Sequence, residues 1–496
     1  MTSRAERLLA RPLWQLAALS AGAGAVAAMG QVPFHQPVLM AFALAAVFYA
    51  APRAPDWRRA SVIGWGFGLG YFALALSWIV EPFLVDIARH GWMAPFALVF
   101  MSGGLALFWA AAFALARYIG SVWALAIAWP LAELARAYVF TGFPWAMFPQ
   151  ALIDTSAAQG LAWLGPHGMM LALCLVMAAL VWRVWSAVPA ALVIASGLFG
   201  PWQPVQPALT EHMVRVAQPN APQHEKFDPT KIPEFNRRLL EATAAGTPPA
   251  LVVWPEIAVP YLLEQADPFL AQVAFAGRGA PVILGIQRRN AEGRSLNAMA
   301  VVNGAAEVTG VYDKYHLVPF GEYIPFASFF AQFGIRGLAT ADLRGYAQGP
   351  GPALLDLGPL GPALPLICYE AVFAHRVNAA PARPRLLLHI TNDAWFGTFA
   401  GPQQHFAQAR MRAIEQGLPV VRSANTGISG IIGPRGHVLA QLPLGAAGYA
   451  QHLLPTPLAP TLYSQLGDLP VAILLVFATF LTTGMRILID ARRGRA

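Results

Sequence analysis

Three polar residues close apolar runs in the second half of the chain. They are Glu256 in VVWPE, Lys314 in VYDKYHLVPFGEYIP and Cys368 in PLICYE. Together these types supply acyl-transfer chemistry: a thiolate to attack a carbonyl, a carboxylate to take the proton, and a fixed ammonium to face the oxyanion. Singly each has a blander reading. An acid at a strand end is usually a solvated loop residue, a lone lysine a surface charge, and a buried cysteine a small hydrophobe. Their settings argue otherwise. Trp254 and Pro255 flank Glu256, a partly desolvated place that suits a general base. Lys314 lies among Tyr312, Tyr315, Leu317 and Val318, with Glu322 following in a Gly-Glu-Tyr turn. Cys368 stands where the run gives way to Tyr369 and Glu370, and the Tyr369 backbone N–H is placed as an oxyanion donor.

The elements that must hold these residues are short apolar runs. They lie at 213–218, 250–256, 281–286, 297–302, 363–370, 385–393 and 419–427. Several are continuously apolar, as strands of sheets covered on both faces are. Helical stretches at 231–246 and 403–416 intervene, so the reading is α/β with layered sheets.

The rest of the chain is different in kind. Of 496 residues, 57% are hydrophobic and only 12% charged, against about 25% charged in soluble domains. Apolar runs at 13–29, 36–52, 61–81, 93–117, 120–138, 158–182, 187–203 and 469–488 read as membrane helices. The first resembles a signal peptide, but it lacks a clean cleavage site and reads as a retained helix. Arg53, Arg58, Arg59, Arg117, Arg183, Arg492, Arg493 and Arg495 all fall on one side if the N-terminus is cytoplasmic, and the 82–92 loop on the other. Seven crossings then carry residues 204–468 outside the cytoplasm, through the stiff PWQPVQP linker. Chemistry there has no ready ATP or nicotinamide, and there is no Gly-rich phosphate loop. The formal charge of +8 reflects flanking basic residues rather than a nucleic-acid face. Cys174 and Cys368, one in an apolar run and one in the soluble part, are expected neither to pair nor to bind zinc. His316, His389 and His405 read as structural, and Glu133 with Arg136 as an ion pair along a helix.

With VVWPE, KYHLVPFGEYIP, ICYE and HITNDAWFG in this order, and the membrane-side string ELARAYVFTGFPW (133–145) before them, the chain resembles the nitrilase (carbon–nitrogen hydrolase) superfamily. It is most similar there to the membrane branch, the apolipoprotein N-acyltransferases. The resemblance implies a membrane bundle of about eight helices plus an α/β nitrilase-like αββα sandwich. Its domains would be 1–203, 204–468 and a C-terminal helix with basic tail at 469–496. It implies that Cys368 takes a fatty acyl chain from a phospholipid, typically phosphatidylethanolamine, as a thioester. The chain then passes to the α-amino group of a diacylglyceryl-cysteine lipoprotein. Glu256 would be the base and Lys314 the oxyanion partner, with Glu322, Tyr369 and Glu370 shaping the site and Trp145 near the lipid headgroup. No cofactor and no metal are implied, and one chain, a monomer in the bacterial inner membrane, holds a complete site.

Phe227 in EKFDP stands where the family often has Trp, and Leu418 where it often has Arg. The Phe- and Gly-rich segment 323–349 reads either as arms reaching into lipid or as a packed loop. Two other functions fit the same residues. A membrane-tethered amidase would use the trio with water as acceptor, and a lipid-binding scaffold would leave it idle.

Overall fold

Apolar runs of the soluble part fold as the strands of two sheets. The computed structural model describes residues 4–182, 207–325 and 345–493. The expected helix at 187–203, the linker at 201–207 apart from its last residue, and most of the 323–349 segment lie outside them. Two units are defined by contact: Met1–Val80, Trp92–Gln203 and Leu462–Ala496 form one, and Glu81–Gly91 with Pro204–Thr461 the other.

In the second unit the strands are β1 (Leu209–Gln218), β2 (Leu251–Val253), β3 (Val282–Arg289), β4 (Ser295–Val302), β5 (Val308–Asp313), β6 (Leu355–Asp356), β7 (Pro362–Ile367), β8 (Leu386–Thr391), β9 (Val420–Ala424), β10 (Ser429–Ile432), β11 (Val438–Leu442) and β12 (Gly448–Pro455). One sheet has the order β12-β1-β2-β3-β4-β5, the other β11-β10-β9-β8-β7-β6. The central strands β1, β2 and β3 are parallel, as are β7, β8 and β9.

Side-chain alternation builds the layers. Leu251 and Val253 of β2 point into a core shared with Ile367, Leu386 and Leu388 of the other sheet. Val252 and Trp254 point the opposite way, toward Leu239 of helix Ile232–Ala244 and Phe269 of helix Asp267–Gly277. The other sheet likewise packs Leu364, Leu387 and Val420 against Phe406, Ala409 and Ala413 of helix Gly401–Gln416. The order is thus helix, sheet, sheet, helix, and strands buried on both faces explain the continuous apolar runs.

The topology sends chemistry to one end. In open parallel sheets the crevice outside the carboxyl ends of the strands is where ligands bind. Strand β2 ends just before Glu256, β5 before Lys314, β7 before Cys368, β8 before Asn392 and β9 before Asn425. The turn carrying Glu256 lies on β3 at Gly285: Gly285 N–H donates to Pro255 O at 3.2 Å, and Ala258 N–H to Gly285 O at 2.9 Å. A Cβ at Gly285 would overlap the Pro255 carbonyl oxygen and lie 2.5 Å from Ile257 N and 2.6 Å from Glu256 Cα. Because this is backbone against backbone, Gly285→Ala is expected to destabilise by about 1–3 kcal/mol. Thermal unfolding of the full chain in detergent checks it.

In the first unit the helices include Leu13–Ala28, Pro37–Ala50, Trp57–Ala75, Ala94–Ile119, Val122–Tyr138, Leu161–Trp182 and Leu469–Arg493. Among the described residues three helical stretches are long and apolar enough to cross a membrane: Ile87–Ile119, Ser156–Trp182 and Leu469–Arg492. A fourth is added if Trp57–Ala75 is counted with Ser77–Leu84. Small residues let two backbones meet: a Cβ on Gly24 would overlap the Phe67 carbonyl oxygen, and one on Gly70 that of Ala21. Glu133 and Arg136 form the expected pair at 2.6 Å, both buried. Arg136 also donates to the carbonyls of Phe143 and Trp145, and Trp109 Nε1–H to Glu133 at 2.7 Å. A buried ion pair needs such further partners, and here they fix the GFPW turn.

Candidate active site

Glu256 is held from three sides. Its Oε1 accepts from Asn297 Nδ2 at 2.7 Å and from Lys314 Nζ at 3.4 Å. Its Oε2 accepts from the backbone N–H of Asn392 at 2.8 Å. Lys314 donates more closely to Glu322 Oε1, at 2.9 Å, and Asn297 Nδ2 reaches the same oxygen at 3.2 Å. The other Glu322 oxygen accepts from Val318 N–H at 2.8 Å, which closes the turn from Lys314. One ammonium therefore faces two carboxylates, all buried. Burial alone would discharge Lys314, but Glu322 and Glu256 outweigh it and hold its pKa well above the usual lysine value.

Cys368 begins the turn that follows β7, with φ of 53°. A side chain at positive φ is strained, and such strain persists only where surroundings enforce it. The enforcing groups are visible. Glu370 Oε2 accepts from Ile367 N–H at 2.8 Å. Glu370 Oε1 accepts from Tyr312 Oη–H at 2.9 Å and from the N–H groups of Tyr315 and His316 at 2.9 and 3.1 Å. One carboxylate thus ties the Cys368 turn to the segment bearing Lys314. Burial pushes Glu370 up to about 7, against the pull of these donors and Lys314. Behind Cys368, the Nε2 atoms of His389 and His405 each lie 3.2 Å from its carbonyl oxygen. His389 Nδ1 accepts from Arg422 at 2.8 Å, and Arg422 and His405 both pair with Asp393, at 2.6 and 2.9 Å. The thiol itself is pushed up by burial and by the Glu256 charge, with Lys314 and Thr391 pulling the other way. Its resting form at neutral pH is the thiol, so a base must act as it attacks.

The structure therefore gathers Glu256, Lys314, Glu322, Cys368 and Glu370 at one end of the two sheets. Tyr369 is buried beside them, its ring stacked on His316 at 5.6 Å and edge-on to Phe373 at 4.8 Å. Trp254 faces the outer core instead, its indole N–H donating to Thr243 Oγ1 at 2.8 Å. Phe227 is half-exposed. Trp145 belongs to the first unit, buried against Trp78 at 4.6 Å. Sequence reasoning passed over Asn297, which bridges two carboxylates. An amide in an otherwise apolar strand was its signal. It also passed over Lys226, whose Nζ donates to the Glu256 carbonyl at 3.0 Å.

A buried thiol, buried carboxylates and a buried ammonium stand together at the carboxyl ends of paired sheets, on a chain whose first unit is helical. The Carbon-nitrogen hydrolase family matches residues 213–458, and the Apolipoprotein N-acyltransferase N-terminal domain family matches residues 23–198. The chain is 35% identical to the apolipoprotein N-acyltransferase of Rhodopseudomonas palustris, over 94% of this chain and 95% of that one. It is also 35% identical to that of Bradyrhizobium diazoefficiens, over 96% of each. An amidase structure from Nesterenkonia sp. is 20% identical with a TM-score of 0.35, covering 50% of this chain and 92% of its own. The chain belongs to the apolipoprotein N-acyltransferase family and is an acyltransferase.

Proposed function

We propose that this enzyme moves a fatty acyl chain from a phospholipid to the N-terminal amine of a diacylglyceryl-cysteine lipoprotein, through a thioester on Cys368. The observation that carries the reading is the single Lys314 ammonium shared by Glu256 and Glu322, on a site knitted to the Cys368 turn by Glu370. In the first half-reaction Glu256 takes the Cys368 proton as the sulfur attacks the ester carbonyl. Lys314 and the Tyr369 N–H face the oxyanion. The C–O bond then breaks, and the proton passes from Glu256 to the departing lysophospholipid alkoxide. In the second, the lipoprotein amine attacks the thioester and gives a proton to Glu256, which returns it to the leaving thiolate. The thioester conserves acyl-transfer potential, so neither half needs ATP or another cofactor. Glu322, Tyr369 and Glu370 shape the site; Trp145 lies near the lipid headgroup.

The same proposal places residues 1–203 and 469–496 in the bacterial inner membrane as eight helices, with both termini cytoplasmic. Residues 204–468 are then extracytoplasmic. That the 81–91 segment groups with the catalytic unit supports a common side for the two. The donor is phosphatidylethanolamine, the working form a monomer, and no nucleic acid is involved. Incubating the purified enzyme with phosphatidylethanolamine and a diacylated lipopeptide should yield N-acylated lipopeptide. Free fatty acid with no lipopeptide product would make it a membrane-tethered hydrolase instead.

A further inference from the structure

Two lysines are buried at this site, and only one has carboxylate partners. Lys314 sits between Glu256 and Glu322. Lys226 is also buried, yet among the described residues it makes no ion pair; its ammonium donates to a single main-chain oxygen, that of Glu256, and lies 5.7 Å from the centre of the Phe227 ring. An ammonium carries three donors, so two are left without a protein acceptor among the described residues. Enclosing a cation without a counter-charge is costly, and such charges are normally neutralised, paired or matched by a ligand. Burial pushes Lys226 down to about 8, and the Glu256 charge acts on it in the opposite sense, as that of a Cys368 thiolate would. Lys226 is therefore close enough to feel the reacting groups. It lines a cavity with Phe227, Phe235, Asn236, Ile257 and Asn425, mostly apolar with two amides at its wall.

We infer that Lys226 is the anion contact for the phosphodiester of the acyl donor. The inference rests on the acyl-transfer reading above. The two substrates differ at this point. The donor carries a fixed negative charge in the same small molecule as the scissile ester. The acceptor brings an amine at this point and no phosphodiester beside it. A phosphodiester oxygen would complete the ammonium's hydrogen bonds. Lys314, its charge balanced by two carboxylates, keeps a third N–H to serve the oxyanion.

The test compares rates of thioester formation in the full-length enzyme with two donors of the same acyl chain. One is phosphatidylethanolamine in mixed micelles, followed by intact mass. The other is a neutral p-nitrophenyl ester, followed by the p-nitrophenolate burst. Lys226→Gln keeps a donor for the Glu256 carbonyl but removes the charge, so the phospholipid-to-ester rate ratio is expected to fall about tenfold. Lys226→Arg should restore most of it. An unchanged ratio in Lys226→Gln overturns the inference, whether both rates fall together, as for a residue that merely positions Glu256, or a free anion occupies the site. Should the variants not fold, the wild type carries the same test. Methylating the phosphate of an N-acetylated donor, which makes the whole headgroup neutral, should slow acylation about tenfold relative to the unmethylated N-acetylated donor, and an equal rate would refute the contact. A wild-type enzyme that forms no thioester from phosphatidylethanolamine would overturn the acyl-transfer reading itself, a different result from either.

Discussion

Cys368→Ala should carry no acyl adduct after exposure to phosphatidylethanolamine, and its transfer to lipopeptide should fall by at least about 10⁴-fold. Intact mass and lipopeptide acylation measure the two. The variant is well suited to the question because Ala keeps a Cβ. The positive φ at 368 is then demanded of the new residue as it was of the old, and the Glu370 and histidine contacts that enforce it are to main-chain atoms or to other side chains. Loss of one buried sulfur costs about 1 kcal/mol, so the variant should unfold within a few degrees of the wild type. An adduct that persisted would have to sit elsewhere. The remaining thiol, Cys174, is buried in helix Leu161–Trp182 of the other unit, and acylation there would dissolve the assignment of Cys368 as nucleophile.

The residues that could be read directly from the chain are those where a polar group interrupts an apolar run. Glu256 and Cys368 each follow a strand whose two buried faces leave no room for polar side chains, so their position at its end stands out; Lys314 follows the mostly exposed β5 and stands out instead by the aromatic residues around it. The runs at 281–286, 297–302 and 419–427 likewise correspond to β3, β4 and β9. Strands β5, β6 and β10–β12 gave no such signal. They are short or lie toward sheet edges, and β11 and β12 carry partly exposed residues that break the apolar pattern. The inner layer needs the pairing of two sheets, which no local pattern encodes.

What escaped the sequence at the site has the same physical origin. Gly285 reads as an ordinary strand glycine until the Glu256 turn is seen lying on it, although a lone glycine in a strand is itself a mark of close approach. Lys226 lies in a Pro-rich polar stretch, where a lysine is usually solvated, and only the fold encloses it. Trp254 lies two residues before Glu256 in the chain but faces the outer layer with Val252, because side chains two apart on a strand share a face, and it is the turn after β2 that sends Glu256 elsewhere.

Glu256→Gln should move two measurements in opposite directions. Thioester formation from phosphatidylethanolamine is expected to fall by about 10²–10⁴-fold, the usual cost of losing a general base. Modification of Cys368 by a small neutral thiol reagent should instead become faster at a given pH. The sign follows from the thiol's surroundings: after burial, the Glu256 charge is the strongest influence pushing its pKa up, while Lys314 pulls it down. Removing the negative charge and keeping the ammonium therefore favours the thiolate, and the pH profile of modification shifts to lower pH. Gln is close in shape, and its carbonyl can still accept the Asn392 N–H that Glu256 Oε2 accepts at 2.8 Å. A purely structural role would slow both reactions together, because a displaced turn disturbs the thiol as much as the chemistry. If acylation and modification fall in step, Glu256 is a brace rather than the base. Divergence would mean that the carboxylate raises the resting thiol's pKa, yet takes its proton when the ester carbonyl arrives.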